Sequence, residues 1–317
     1  MAANWMRRTA LVAACASALL LAACGSSTTE SAITPDRFIA FGDAYSDIGQ
    51  KGSRYTVNND TVNNWTLQLA SHYQKSLAPV SAGGLSYAQG NARIAAQPDA
   101  AGDATTPTIT AQIDRFLASQ TFAPNDIVLL NGGISDLIVG MAAVRSGTLS
   151  AADYVAQARQ NGKDLAAQIL RLVNAGAPHV VVSGSYDLGK TPWAIAIGQE
   201  TLLSEASSRF NEALLVAIND LGAHVLYIDS AYYVNLYTSA PSSFSFSYPK
   251  TAVCTSVDAG NGIGTGTGQV NSALCTPSTL LAGADVNLYV FADNVYLSPS
   301  AHRQLGTYAY DKLRARW

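Results

Sequence analysis

Four short runs of β-branched and large apolar residues, each followed by a polar turn and then a longer stretch with helical spacing, constrain this chain more than any other feature. The runs are Phe38 to Phe41, Ile127 to Leu130, Val180 to Val182 and Val225 to Ile228. Short uninterrupted apolar runs of this kind read as strands with both faces covered. Between them Tyr154, Ala158, Leu165, Ile169 and Leu172 recur at helical spacing, as do Leu202, Ala206, Phe210, Leu214, Ile218 and Leu221 before a Gly222 stop. Each set is one apolar stripe that a helix can lay against a sheet. A last helix is predicted with Ser298 as N-cap and Pro299 in its first turn, running through Leu305, Tyr308, Ala309 and Leu313. The alternation predicts a parallel sheet covered by helices. Residues 239–287 break it: they read as an irregular insert containing Gly260-Asn261-Gly262-Ile263-Gly264-Thr265-Gly266, the kind of segment that serves as a lid, a rim or a partner surface.

The first 23 residues read as an address rather than as structure. Arg7 and Arg8 precede an apolar core from Leu11 to Leu21, and Leu21-Ala22-Ala23-Cys24 forms a small-residue cleavage site ending in cysteine. That is the pattern of a bacterial lipoprotein signal, with a lipidated Cys24 at the mature N-terminus and a Ser/Thr-rich tether over 24–35 leading into a domain at 36–317. The expected location is the cell envelope, held by the lipid, with the outer membrane favoured because Gly25 carries no evident inner-membrane retention signal. Loss of the signal takes Arg7 and Arg8 from the 19 Lys+Arg, leaving 17 against 22 Asp+Glu, a formal charge of about −5 that argues against nucleic acid as a partner. Of the four cysteines, Cys15 leaves with the signal and Cys24 takes lipid. Cys254 and Cys275 remain, and in an exported protein they are expected to form a disulfide, with metal binding the weaker reading because no histidine is near.

In an open parallel sheet, sites form beyond the carboxyl ends of the strands. Those positions are rich in hydroxyls and carboxylates: Asp43, Ser46 and Asp47 after the first run, Ser135 and Asp136 after the second, Ser183, Ser185 and Asp187 after the third, Asp229 after the fourth. His179 and His224 precede strands and belong to the opposite edge, while His72 lies in a helix beside Tyr73. His302, nine residues after Asp293, is the histidine placed to reach the site. The carboxylates Asp43, Asp47, Asp136 and Asp187 could in principle hold a hard cation, but their spacing matches no loop motif, and helix capping or turn bracing is the favoured account. No cofactor or metal is called for. Tyr232, Tyr233 and Tyr237 could line an acyl or glycan groove, with helix packing as the default.

Taken in order, the segments resemble the SGNH/GDSL esterase and lipase family, in particular its secreted bacterial branch, over nearly all of residues 36–317. Phe41-Gly42-Asp43-Ala44-Tyr45-Ser46-Asp47 is similar to the first block, where a serine at the position of Ala44 is the nucleophile. Asn64-Trp65-Thr66-Leu67-Gln68-Leu69-Ala70 resembles the helix that follows. Ser86-Tyr87-Ala88-Gln89-Gly90-Asn91-Ala92 resembles the second block, whose glycine, here Gly90, lends its N–H to the oxyanion hole. Gly133-Ile134-Ser135-Asp136 matches the third block with Ser135 where the family has an asparagine donor. Phe291-Ala292-Asp293-Asn294-Val295-Tyr296 resembles the fifth, where the triad aspartate, Asp293, precedes its histidine by three; Tyr296 stands there instead. The resemblance implies an α/β three-layer sandwich with a central parallel sheet, flavodoxin-like in topology, and ester hydrolysis as the family reaction.

The departures fall on the chemistry. A triad needs a hydroxyl to attack, an imidazole to take its proton, and N–H donors to receive the oxyanion. Ala44 has no hydroxyl, and a phenol is mostly protonated at neutral pH. The leading expectation is therefore a catalytically impaired domain retaining its cleft as a binding surface for a small acyl-ester or glycan-like ligand. The rival is a displaced triad, with Ser46 in the first helical turn as nucleophile, His302 as base, Asp293 orienting it, and Gly90 and Ser135 as oxyanion donors. In that rival Ser46 could equally cap the helix or bond Asp47, and an exposed helical histidine would be equally ordinary.

Overall fold

A computed structural model describes residues 33–59 and 61–317. The leader at 1–23, Cys24 and most of the tether lie outside the described residues. The strands are β1 (Phe38–Phe41), β2 (Ile127–Asn131), β3 (His179–Ser183) and β4 (Val225–Ile228), all parallel and hydrogen-bonded in the order β1-β2-β3-β4. Every residue of β1 and β2 is buried, as their unbroken apolar sequences require. The register sets Phe38 against Ile127 and Ile127 against His179, so the four carboxyl ends come out on one side.

β1 is not a free edge. Ala40 donates its N–H to Leu85 O at 3.0 Å and accepts from Tyr87 N at 2.7 Å, so the segment around Ser86 lies parallel to it as a one-bridge remnant of a strand. The chain thus leaves β1 toward one neighbour and returns on the other side, and the turn after Phe41 sits at the topological switch point where open α/β sheets build their sites.

Helices flank the sheet in two groups. α1 (Trp65–His72) packs on the last helix, α8 (Pro299–Arg316). The other group comprises α2 (Ile109–Leu117), α3 (Ile134–Arg145), α4 (Ala151–Asn174) and α6 (Glu200–Ile218), the last two forming the most extensive helix pair. Shorter helices α5 (Pro192–Ile197) and α7 (Ser230–Ser239) follow β3 and β4. Of the stripes read from the sequence, Tyr154, Ala158, Leu165, Ile169 and Leu172 are buried in α4 and Ala206, Phe210, Leu214 and Ile218 in α6, whereas Leu202 is half-buried beside a buried Leu203 and Leu221 falls in the 3-10 turn after the helix. Ser298 caps α8, its hydroxyl accepting from Ala301 N, with Pro299 in the first turn. The α/β sandwich expected from the alternation is the fold.

The insert at 239–287 carries more order than its sequence suggested. A strand β5 (Tyr248–Ala252) pairs in parallel with β6 (Tyr289–Phe291), and Val253, Cys254, Cys275, Tyr289 and Ala292 bury a small core with Val57. Cys254 and Cys275 are disulfide-bonded. β5 escaped notice because Tyr248, Pro249 and Lys250 show no apolar alternation; it is mostly exposed and held by backbone pairing.

Candidate active site

The turn leaving β1 begins at Gly42, whose φ of +156° and proximity to Asn131 leave no room for a side chain: a β-carbon there would fall 2.0 Å from Asn131 Oδ1. Gln112 clamps this glycine from both sides, accepting its N–H and donating to its carbonyl, each at 2.9 Å. Asp43 follows. Its Oδ1 accepts from Tyr45 N at 3.0 Å and from Asn131 Nδ2 at 2.6 Å, while Oδ2 is buried without a partner. Burial pushes the Asp43 carboxyl up to about 6.

Ala44, where the family resemblance places the nucleophile, is buried in this turn. Ser46 lies in the turn and not in a helix, since its N–H reaches Asp43 O at 3.1 Å and the next helix begins at Trp65. The Ser46 hydroxyl accepts the Trp65 indole N–H at 3.0 Å. The backbone N–H of the same tryptophan donates to His302 Nδ1 at 3.3 Å. Ser46 and His302 are therefore both partners of Trp65 and share no hydrogen bond with each other.

His302 is wholly buried, against the exposed position weighed from sequence, and its ring stacks on Tyr45 with centroids 5.4 Å apart. Because Nδ1 accepts a hydrogen bond, the proton of the neutral ring sits on Nε2, which is enclosed with no partner. Burial, helped by the Arg303 charge, drives its pKa down to about 3. Asp293 does not orient it. Oδ1 takes the N–H groups of Val295 at 2.7 Å and Tyr296 at 2.6 Å, and Oδ2 takes Ser272 N at 2.9 Å, so this carboxylate braces its own turn and the insert.

The remaining family positions are equally committed. Gly90 donates its N–H to Asp47 Oδ2 at 2.8 Å, and Asp47 Oδ1 holds Gly49 N and Gln50 N, each at 2.8 Å. Burial raises the Asp47 carboxyl to about 6. Tyr55 lies against Gly90 and meets Tyr296 edge-on, ring centroids 5.5 Å apart. Tyr296 is fully buried, its hydroxyl unpartnered, its phenol pushed well above the ordinary range by burial. Ser135 is buried with a free Oγ, while its neighbour Asp136 pairs with Arg93 Nε and accepts from Ile94 N, each at 3.0 Å.

The hydroxyls and carboxylates beyond β3 and β4 serve as braces. Ser183 Oγ donates to Ser230 Oγ, Ser185 Oγ to Tyr186 O, Asp187 caps the turn at Gly189, and Asp229 caps α7 through Tyr232 N. His72, His179 and His224 pack on Tyr310, on Trp317 and against Pro178 O respectively. Among the described residues no group of three or more His, Cys, Asp or Glu is arranged to hold a metal ion.

An open cleft at these family positions, expected from sequence, is not what the structure has. Ala44, Ser46, Gly90, Ser135, Asp293, Tyr296 and His302 are all buried, and surface cavities of about 300 to 620 Å³ are lined by other residues. Tyrosine rings fill the space. Tyr45 and Tyr296 sit in motif segments, but Tyr55, in a loop with no periodicity, and Tyr186, hydrogen-bonded to Val295 O at 2.8 Å, carry no sequence signal that marks them as filling it.

A switch-point turn with a clamped Gly-Asp, a second segment supplying Gly90 and a third-block helix start define a protein of the serine-esterase type of α/β fold. The family model for GDSL-like lipases and acylhydrolases matches residues 38–308, and the chain belongs to that family. An uncharacterized protein in the trpE-trpG intergenic region of Pseudomonas putida is 26% identical over 194 residues, 61% of this chain. That stretch spans only 30% of the relative's length. Two crystal structures align over 89% and 88% of this chain and 97% of their own, at 11% and 14% identity, with TM-scores of 0.46 and 0.41.

Proposed function

We propose that this chain is a lipid-anchored member of the family whose acyl-hydrolase centre is silent. The observation that carries the reading is the pairing of Ala44, which has no hydroxyl, with a Gly90 N–H already taken by Asp47. Removing a triad serine costs roughly six orders of magnitude in turnover, and removing one oxyanion donor about two to three. Tyr296 adds to this, because a buried phenol held in its protonated form is no base. The displaced triad has weaker support, since Ser46 and His302 would each have to give up Trp65 and Asp293 its three backbone donors. The leader and Leu21-Ala22-Ala23-Cys24 support export and anchoring through a lipidated Cys24, with the outer membrane as the address.

The test has two arms. The purified chain is incubated with a fluorophosphonate probe and with short-chain p-nitrophenyl esters; no labelled serine and no turnover above background are expected, and a labelled Ser46 would install the displaced triad instead. Metabolic labelling with a radioactive fatty acid should mark the parent and spare Cys24→Ser; equal labelling of both refutes the anchor.

A further inference from the structure

One cavity of about 300 Å³ joins parts of the chain that the acyl-hydrolase reading leaves unused. It opens where the Gly-rich, disulfide-closed insert docks on the loop before α2: a β-carbon on Gly264 would lie 2.3 Å from Ala100 O, so only glycine brings the two backbones this close. The opposite wall is the last part of α3 and the start of α5.

Its polar lining is unusual in what it leaves unmatched. Arg145, the last residue of α3, makes no ion pair or hydrogen bond with any described residue. Asp99, 5% exposed, gives Oδ1 to the N–H groups of Ala101 and Asp103 and leaves Oδ2 without a partner among the described residues. The two opposite charges line one cavity yet form no ion pair with each other. Trp193 and Thr265, 3% and 6% exposed, add an indole N–H and a hydroxyl that are enclosed, without accessible surface and without a partner among the described residues. Asn261 donates Nδ2 to Ala101 O, and its side-chain Oδ1 has no partner among the described residues. The rest of the lining includes Val139 and Ala142.

We propose that this cavity binds a small zwitterion, a free amino acid with a short apolar side chain, its carboxylate taken by Arg145 and its ammonium by Asp99 and Asn261. A plain anion would face the Asp99 carboxylate, a plain amine would face the Arg145 guanidinium, and a neutral polyol would leave both charges uncompensated. A ligand bearing both signs meets each with its complement, and its side chain covers the alanine and valine wall. The larger cavity of about 620 Å³, near α6 and α7, offers no such mismatch: its Glu212 pairs with Arg209 at 2.8 Å, and Asp187 and Asp229 are spent on caps.

The experiment is calorimetric titration of the full chain with L-alanine, L-valine and L-leucine, beside N-acetyl-L-valine, which lacks the ammonium, and L-valinamide, which lacks the carboxylate. At least one free amino acid should bind, with both derivatives weakened about tenfold or more. Arg145→Met, at an exposed position, and Asp99→Asn, which keeps the acceptor for Ala101 and Asp103, should each weaken binding by a similar factor at an unchanged melting temperature. Absence of binding by all three amino acids overturns the proposal. So does N-acetyl-L-valine binding as tightly as L-valine, which would make this a plain anion site, or binding indifferent to Arg145→Met.

Discussion

Tyr55 lies across Gly90 so closely that a β-carbon on the glycine would fall 2.0 Å from the phenol oxygen, while the glycine's N–H is held by Asp47 at 2.8 Å. The group that the family aims at an oxyanion is here capped by a ring on one side and a carboxylate on the other. Gly90→Ala must therefore displace the ring, at a cost of about 1–3 kcal/mol for overpacking. Urea denaturation should record that loss, and Gly90→Ala should cost less in a Tyr55→Ala background than in the parent, because the ring it must displace is gone. A Gly90→Ala protein as stable as the parent would mean that the ring does not fill this space.

Supplying the missing hydroxyl should not by itself restore chemistry. In Ala44→Ser the new Oγ would find no imidazole, because His302 Nδ1 is engaged by Trp65 N and Tyr296 stands at the base position. Ester turnover and fluorophosphonate labelling of Ala44→Ser are expected to stay at the level of the parent. Turnover well above that level would show that the alanine alone silences the site.

His302 should make the fold sensitive to acid. Its folded pKa is near 3 against 6.5 for an unfolded histidine, so between those values the unfolded chain binds the extra proton. The stability it contributes is full above pH 6.5 and is lost as pH falls toward 3, a change of order 5 kcal/mol. His302→Gln, which can still accept from Trp65 N, removes this titration. Denaturation midpoints between pH 6.5 and 4 should fall less steeply in the variant; parallel curves would mean that the buried ring is not held neutral.

Asp47 acts in the opposite sense. Its folded pKa is raised from 3.8 to about 6, so the folded state holds the proton more tightly than the unfolded one. Its share of stability is fullest below pH 4 and declines as pH rises to 6, by roughly 3 kcal/mol. Asp47→Asn loses acceptor strength at every pH, but the deficit relative to the parent should shrink between pH 4 and 6. A deficit that grows over that range would place the Asp47 pKa below its ordinary value.

Much of this architecture was legible because strand and helix signals depend on local period. β1, β2 and the stripes of α4 and α6 appear where Phe38, Ile127, Tyr154 and Phe210 placed them, and Ser298-Pro299 marked the start of α8. The site was legible only as positions. Which atom each side chain holds depends on contacts distant in sequence: Trp65 to His302, Asp47 to Gly90, Ser272 to Asp293. Burial of His302 was likewise hidden, because a histidine in a first helical turn looks alike whether the covering ring, Tyr45, comes from the same face or not. β5 was missed for the converse reason, since its pairing uses the backbone and leaves no side-chain pattern.

The disulfide closes the Gly-rich loop onto the small core beside β5 and β6. Cys254 and Cys275, 21 residues apart, close the loop that carries the Gly-rich run, and the bridge is buried with Val57, Val253 and Tyr289. A loop of that length confines the unfolded chain by about 3 kcal/mol in the entropy model. Two hydrogen bonds from backbone N–H groups hang on the same region, Ser272 N to the Asp293 side chain at Oδ2, 2.9 Å, and Asn58 N to Cys275 O, 2.8 Å. Cys254→Ser/Cys275→Ser should therefore lower the stability by about that amount and, because Gly264 and Asn91 lose a fixed partner surface, speed amide exchange in residues 256–272 and at Ala100 while leaving the β1 to β4 amides slow. Uniform acceleration across the sheet would mean that the insert and the sheet open as one unit, and unchanged exchange in 256–272 would mean that packing alone holds the loop.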